Sequence, residues 1–290
     1  MVMQDLEQRL AGAQYVADAP LVMALQLLIG MKRPLLVEGD AGVGKTEVAK
    51  ALATVFGCPL IRLQCHEGLD VNSAVYEWNY QRQLLAIQMA GGRGGLEEDS
   101  LFQREFLLKR PLLQAIDADA PVVLLIDEVD RADEEFEAYL LEALSDFQIT
   151  IPELGTIRAR TTPYVVLTSN GTRDLSDALR RRCLYYYLDY PSLGKELAIV
   201  SCRLPDIGAR LATEVVSFVQ GLRGMDLRKM PGISETLDWA AALMSLGVAD
   251  LSDLGEWEHT LVCLLKTQED RVAVGSDLMH RLASPGRVGS

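Results

Sequence analysis

The sequence contains no long apolar run, and this absence argues against a membrane-spanning segment. No uninterrupted stretch approaches the roughly 20 apolar residues that a helix needs to cross a bilayer. Residues 1–9 mix acidic, basic and apolar side chains and show no signal-peptide core. With 49% hydrophobic and 24% charged residues, the chain has the composition of a soluble globular protein. We therefore expect a cytoplasmic location.

Basic residues are scarce as well. The 28 lysines and arginines are outnumbered by 41 aspartates and glutamates, so the formal net charge is −13. No Lys/Arg-rich run suggests a nucleic-acid surface, and a chain of this charge lacks the electrostatic attraction that dominates binding to phosphate backbones. We expect no nucleic-acid partner.

Cysteine and histidine occur in patterns that build neither a disulfide framework nor a metal site. The five cysteines form no C-x-x-C pair, which predicts buried or half-buried thiols in a reducing compartment. The histidines lie too far apart in the sequence to suggest a metal site. They are His66, His259 and His280.

The strongest positive signal is a glycine-rich stretch that fits G-x-x-x-x-G-K-[ST] at every fixed position. It reads Gly39, Asp40, Ala41, Gly42, Val43, Gly44, Lys45, Thr46 and is followed by Glu47. An apolar segment precedes it and a helical pattern follows, which is the context of a P-loop. Backbone N–H groups would cradle phosphates, with Lys45 at the β- and γ-phosphates and the Thr46 hydroxyl on Mg²⁺. The sequence predicts that residues 39–47 bind a nucleoside triphosphate; a chance glycine-rich turn is the alternative.

A second signal is the carboxylate pair Asp127 and Glu128, directly after the apolar run Val122–Ile126. A buried parallel strand delivers such residues to the ligand edge of an α/β sheet. Asp127 is expected to hold Mg²⁺, and Glu128 to orient and deprotonate an attacking water. Because acidic residues also favour helix N-termini, an ordinary acidic helix start is the alternative.

Two further segments carry candidate catalytic residues. The strand pattern Tyr164–Ser169 ends in Asn170, whose amide would reach the γ-phosphate or the water if this strand neighbours that of Asp127. A turn asparagine before glycine is the alternative. One arginine of Arg180–Arg182 is a candidate arginine finger for a neighbouring subunit's nucleotide, and a solvated basic face is the alternative.

The order of the elements predicts an α/β protein with a helical C-terminal part. Strand patterns alternate with helical ones up to about residue 191, which implies a parallel sheet. Only helical patterns follow. We therefore predict two domains, residues 1–191 and 192–290. A helix is expected over Leu101–Asp117 and a loop at Gly91–Gly95.

This ordered set resembles that of the AAA+ ATPases. Gly39–Thr46 is similar to Walker A, Leu124–Glu128 to Walker B, Asn170 to sensor 1 and Arg182 to the arginine finger. Within that group the chain resembles the MoxR family, and most of all its CoxD-like members (carbon monoxide dehydrogenase maturation), near the NorQ and CbbQ activators. The phrases that carry this likeness are Glu67–Asp70, Tyr76–Gln81, Arg110–Leu113 and Leu188–Pro191.

The resemblance implies a P-loop NTPase core with a parallel five-stranded sheet and a C-terminal all-α lid. It places an insert in helix 2 at residues 69–95 and a β-hairpin before sensor 1 at residues 149–159. The implied activity is Mg²⁺-dependent ATP hydrolysis by a homo-oligomeric, hexameric ring whose insert and hairpin engage a client. The implied partner is a von Willebrand A-domain protein, and the implied client is aerobic carbon monoxide dehydrogenase, whose Mo/Cu site would be matured.

One departure from the MoxR pattern concerns the lid. MoxR relatives place a sensor-2 arginine at the start of a lid helix, whereas the stretch Gly232–Trp239 contains none; Arg228 and Lys229 lie just upstream as candidate substitutes. Three functions stay open: a CoxD-like remodeller, a NorQ/CbbQ-type activator of another enzyme, and a nucleotide-dependent binding switch with little turnover.

Overall fold

The computed structural model describes residues 3–90, 98–252 and 254–275, so the predicted loop Gly91–Gly95 and His280 lie outside the described residues. The chain divides into two compact units. The first contains residues 3–9, Asp18–Glu38 and Thr46–Tyr187, and the second contains Leu10–Ala17, Gly39–Lys45 and the described residues from Leu188 onward. The sequence-based division after residue 191 stays a prediction.

Strands and helices alternate through most of the chain before helices take over. The strands are β1 Leu35–Glu38, β2 Leu60–Gln64, β3 Tyr76–Trp78, β4 Leu107–Lys109, β5 Val123–Asp127, β6 Gln148–Ile151, β7 Gly155–Arg158, β8 Tyr164–Ser169 and β9 Leu184–Tyr187. The helices are α1 Met3–Gly12, α2 Ala19–Met31, α3 Lys45–Phe56, α4 Val71–Ala74, α5 Tyr80–Ala90, α6 Pro111–Ile116, α7 Glu134–Ser145, α8 Asp177–Arg182, α9 Leu193–Arg203, α10 Ala209–Arg223, α11 Ile233–Ser245, α12 Leu254–Trp257 and α13 Gln268–Ala273.

A five-stranded parallel sheet forms the centre of the first unit, in the order β2-β5-β8-β1-β9. The inner strand β5 is buried at every position, whereas the edge strand β9 alternates between half-buried and exposed residues. This difference is expected because an inner strand with covered faces must be apolar on both sides. The predicted α/β P-loop NTPase fold is confirmed.

Two smaller two-stranded sheets accompany the central one. Strands β6 and β7 pair as the predicted hairpin before β8. Strands β3 and β4 pair antiparallel, with Trp78 opposite Leu107. Helix α4, strand β3 and helix α5 lie within the predicted insert, residues 69–95, whereas β4 lies beyond its end. The expected helix over Leu101–Asp117 is wrong. Its middle forms β4, and α6 begins only at Pro111, because proline fits the first turn of a helix but interrupts its interior.

The second unit is helical where it is described, as predicted for the C-terminal part. Its core contains Phe218, Trp239 and Trp257, whose rings lie 5.1 to 6.0 Å apart. A buried ion pair crosses it, in which Arg223 donates to both carboxylate oxygens of Glu196 at 2.6 and 2.8 Å. No helix of the described ranges in either unit is long and apolar enough to span a membrane.

Candidate functional site

The sheet brings the polar residues that follow its strands to one edge. Strands β5 and β8 are direct neighbours, with Ile126 opposite Leu167, so the condition set for Asn170 in the sequence is met. Strand β2 lies on the other side of β5 and places Gln64 opposite Asp127. Because all these strands are parallel, their carboxyl ends form the edge at which α/β sheets bind ligands.

Asp127 is the last residue of β5 at this edge and is buried. One of its oxygens, Oδ1, accepts hydrogen bonds from the Thr46 hydroxyl at 3.2 Å and from the Thr168 hydroxyl at 2.5 Å. Its other oxygen, Oδ2, accepts from Nε and Nη2 of Arg62 at 3.0 and 2.5 Å. The two residues assigned to Mg²⁺ in the sequence are thus adjacent, and they offer the oxygen ligands that this ion prefers.

Glu128 adopts an unusual backbone conformation, with φ 55° and ψ 49°. The left-handed region is costly for a residue with a side chain and is frequent at functional sites. The Glu128 amide donates to the Thr168 hydroxyl at 2.9 Å. Its carboxylate oxygen Oε2 accepts from Gln64 Nε2 at 3.0 Å and from Arg131 Nη1 at 3.1 Å. Two side chains therefore fix the carboxylate that was assigned to the attacking water.

Asp130 anchors the backbone around Asn170. Its Oδ2 accepts from the Asn170 amide at 3.2 Å and from the amide and hydroxyl of Thr172 at 3.0 and 2.6 Å. Burial acts to raise the pKa of Asp130, but the hydrogen bonds from Thr172 and from the Asn170 amide lower it below its ordinary value. A carboxylate that stays ionised holds the loop after β8 and so fixes the position of Asn170.

The glycine-rich loop has the backbone of a phosphate cradle. Gly42 and Gly44 adopt φ 83° and 98°, which glycine alone adopts without strain. Lys45 begins α3, so the loop leads into a helix N-terminus, where unsatisfied N–H groups favour anions. The buried Lys45 Nζ donates to the carbonyls of Gly39 and Asp40 at 2.7 Å each. Glu47 pairs with Lys50 at 2.6 Å.

A cavity of about 450 Å³ lies beside the loop within the second unit. The loop contributes Asp40 to Gly42, and the remaining lining residues are Tyr190, Leu227, Arg228, Lys229, Met230, Pro231, Glu235, Leu264 and Lys266. The lining mixes apolar side chains with charged ones, among them Arg228, Lys229 and Lys266, and positive charge favours an anionic ligand. The cavity is a candidate ligand site beside the glycine-rich loop, and the oxygens of Thr46 and Asp127 are a donor set that would fit Mg²⁺.

The candidate sensor-2 substitutes line this cavity but are held by acids of the second unit. Arg228 Nη1 pairs with Glu269 at 3.0 Å, and the amides of Arg228 and Lys229 donate to Asp270 at 2.8 and 3.2 Å. In α11, no arginine is present. No residue of the second unit is therefore assigned the sensor-2 role.

The three arginines of α8 have different surroundings. Arg180 lies 3.6 Å from the carboxylates of Glu38 and Asp174. Arg182 Nε donates to the Ser145 hydroxyl at 2.5 Å. Arg33 donates to the carbonyls of Arg181 and Arg182 at 2.6 and 3.1 Å and fixes the end of the helix. Arg181 and Arg182 are exposed, so both can reach a neighbouring molecule.

Sequence reasoning missed Arg62, Gln64, Thr168 and Asp130. The first two alternate along β2 and therefore point to one face, which is a usable signal. The pattern alone does not tell that β2 lies next to β5. Thr168 lies on β8, two residues before Asn170. Asp130 follows Glu128 in the acidic run, where its burial was not evident.

Comparison with known proteins identifies the family of this chain. The profile of the AAA domain (dynein-related subfamily) matches residues 34–183. The chain is 29% identical over 181 residues to chaperone protein ClpB 1 of Nostoc, covering 59% of this chain and 18% of that one. It is 24% identical over 211 residues to the denitrification regulatory protein NirQ of Stutzerimonas stutzeri, covering 70% and 68%. The chain thus spans less than a third of the first ClpB relative.

A similar solved structure is a mutant of Thermotoga maritima RuvB. The match covers 93% of this chain and 73% of the RuvB chain, with a TM-score of 0.49 and 17% sequence identity.

Proposed function

Since the chain belongs to the AAA family, dynein-related subfamily, we propose that it is a Mg²⁺-dependent ATPase that remodels another protein. Residues 39–47 hold the nucleotide, with Lys45 at the β- and γ-phosphates. Thr46 and Asp127 hold Mg²⁺, which neutralises phosphate charge when bound. The observation that carries the proposal is the contact of Thr46 with Asp127, directly after the lysine of a glycine-rich loop.

Glu128 is the proposed general base. It accepts a proton from water as the water oxygen bonds to the γ-phosphorus and the bond to the ADP oxygen breaks. Asn170 contacts the γ-phosphate or the water, and Asp130 holds its backbone in place. Gln64 and Arg131, which donate to Glu128, fix the position of the carboxylate.

Arg182 is the proposed finger, acting on the nucleotide of a neighbouring subunit in a ring. Arg182→Ala should lower kcat by about a thousandfold, because an arginine finger is worth about 10³–10⁵ in rate. The affinity of Arg182→Ala for ATP should be unchanged. Arg181→Ala, one residue away and equally exposed, is the matched control, measured by phosphate release. A loss in Arg181→Ala with normal turnover in Arg182→Ala would reassign the finger.

Mixing two inactive variants tests whether the finger acts between subunits. Each interface of a ring joins two different surfaces, one with Glu128 and one with Arg182. In an equimolar mixture of Glu128→Gln and Arg182→Ala, each of these residues is intact at about half of the interfaces. About a quarter of the interfaces therefore pair an intact Glu128 with an intact Arg182. The rate of ATP hydrolysis should therefore return to about a quarter of the wild-type rate. No recovery in a mixture shown to form mixed rings would place Arg182 in its own subunit's site.

We propose that the client is a metalloenzyme, most specifically carbon monoxide dehydrogenase during assembly of its Mo/Cu site, with a von Willebrand A-domain protein as partner. The MoxR-like phrases of the sequence and the likeness to NirQ support an activator of this type. A NorQ/CbbQ-type activator of another enzyme is the alternative. Identifying the protein that co-purifies with Glu128→Gln in the presence of ATP decides between them.

Helix α5 is the proposed client-contacting surface. It exposes a dense set of large apolar side chains: Tyr80, Leu84, Leu85, Ile87 and Met89. Surface patches of this kind mark interaction sites.

Replacing Leu84 and Leu85 together by serine should reduce client co-purification at least about fivefold. Basal ATP hydrolysis should stay unchanged. Val272→Ser, which removes an even more exposed apolar side chain of the second unit, is the control. Full client recovery with the double variant would exclude this surface.

A binding switch with little turnover is the second candidate. The observation in its favour is that α11 carries no arginine, and Thr236 in its first turn is buried and donates to Glu196 at 2.7 Å. Such a protein would hold its partner while ATP is bound and release it without many cycles of hydrolysis.

A further inference from the structure

The phosphate loop and the start of α11 meet through two glycines of the second unit. A Cβ added to Gly232 would lie 2.6 Å from the Cα of Gly42 and 2.6 Å from its carbonyl oxygen. A Cβ added to Gly42 would lie 3.0 Å from the Cα of Gly232. Non-bonded carbon atoms prefer about 3.5–4.0 Å. The two backbones therefore approach more closely than any side chain permits.

The motif itself does not explain the glycine at position 42. Gly42 occupies one of the variable positions of G-x-x-x-x-G-K-[ST], whereas Gly39 and Gly44 are its fixed glycines. What requires glycine here is the positive φ together with the contact to Gly232. A backbone hydrogen bond closes the contact, with the Ile233 amide donating to the Gly42 carbonyl at 2.9 Å.

Gly232 is held firmly from the lid side. Its amide donates to Glu235 Oε2 at 3.0 Å. The carbonyl of the preceding Pro231 accepts from Arg223 Nε at 2.8 Å, and Arg223 is in turn fixed by the buried carboxylate of Glu196. The buried ion pair, Pro231 and Gly232 thus form a continuous rigid connection to the phosphate loop.

We propose that Gly232 is a positioning residue for the triphosphate, and that α11 sets the conformation of the phosphate loop through the contact between Gly232 and Gly42. The proposal rests on the proposed nucleotide binding. In α11, which lacks arginine, the lid acts on the loop through backbone contact rather than through a charged side chain. Movement of α11 changes phosphate affinity, and phosphate binding in turn restrains α11.

Gly232→Ala and Gly208→Ala form a matched pair that isolates the contact. Both glycines are helix N-caps of the second unit, Gly232 with φ −84° and Gly208 with φ −61°, so alanine is tolerated by either backbone. A Cβ on Gly208 meets nothing within 4 Å. The capping change is the same in both variants, and only Gly232→Ala forces the phosphate loop to move.

Gly232→Ala should raise the Kd for a fluorescent ATP analogue at least about tenfold, because the displaced loop misaligns its amides and losing one hydrogen bond to a charged phosphate costs about tenfold or more in affinity. The KM for ATP should rise more than kcat falls. Gly208→Ala should stay within about twofold of wild type in both, and both variants are assayed well below their melting temperatures. Glu235→Ala, which frees the Gly232 amide, should weaken binding in the same direction if Gly232→Ala does not fold.

Hydrogen exchange separates this inference from the proposed function. In the absence of nucleotide, the amides of residues 40–45 should exchange faster in Gly232→Ala than in Gly208→Ala. Two results would overturn the inference. One is unchanged exchange at residues 40–45 in Gly232→Ala, and the other is an unchanged Kd in Gly232→Ala when the wild-type protein binds the analogue. If the wild-type protein binds no nucleotide and Gly232→Ala still shows the faster exchange, only the proposed function is overturned.

Discussion

Glu128→Gln should bind ATP as tightly as the wild type and lose turnover, with kcat lower by about 10²–10⁴, the usual contribution of a general base. Glutamine has the size of glutamate and retains a side-chain oxygen that can accept the hydrogen bonds from Gln64 and Arg131. It cannot take the proton of the attacking water. Phosphate release gives kcat, and a fluorescent ATP analogue gives the affinity.

Glu134→Gln is the matched control for this result. Glu134 is an exposed glutamate of the first turn of α7, so the variant makes the same change of charge outside the sheet edge. Turnover should be normal in this control. Normal turnover in Glu128→Gln as well would remove the role assigned to Glu128.

Lys45→Ala should weaken ATP binding by about two orders of magnitude. A hydrogen bond to a charged group contributes about 1.5–3 kcal/mol, and the variant loses both the cation for the phosphates and the bonds that Nζ makes to Gly39 and Asp40. Titration calorimetry with Mg-ATP measures the change. Such a loss would show that Lys45 contacts the bound nucleotide.

Lys50→Ala separates this effect from a general loss of positive charge. Lys50 lies on the same helix, is exposed and pairs with Glu47, so its removal should leave the affinity within about twofold of wild type, as for most surface substitutions. Equal losses in the two variants would show that Lys45 has no special contact with phosphate.

The sequence was sufficient for the central sheet because its signals are local. The apolar run before Asp127 identifies a strand covered on both faces, and β5 is buried throughout. The glycine pattern similarly fixes the loop before α3. The order of strands in the sheet is not local, so the neighbours of Asp127 came from the structure.

The errors and omissions have the same cause. The segment around Leu107 has apolar residues at helical spacing, but pairing with β3 decides its structure, and this partner is distant in the sequence. The sequence indicates only that Arg62 lies in a strand; its contact with Asp127 depends on the pairing of β2 with β5. The sequence indicates only that a helix starts near Gly232, because the contact of Gly232 with Gly42 depends on tertiary packing. Propensity does not encode these contacts.

Phosphate release by the wild-type protein at saturating Mg-ATP tests the account most directly. We expect steady release over many turnovers. This release should be lost in Glu128→Gln, which still binds ATP tightly, and also in Lys45→Ala, which binds ATP more weakly and lacks the cation that contacts the β- and γ-phosphates. A wild-type protein that binds ATP yet releases no phosphate above the level of Glu128→Gln would contradict the account and favour the binding switch.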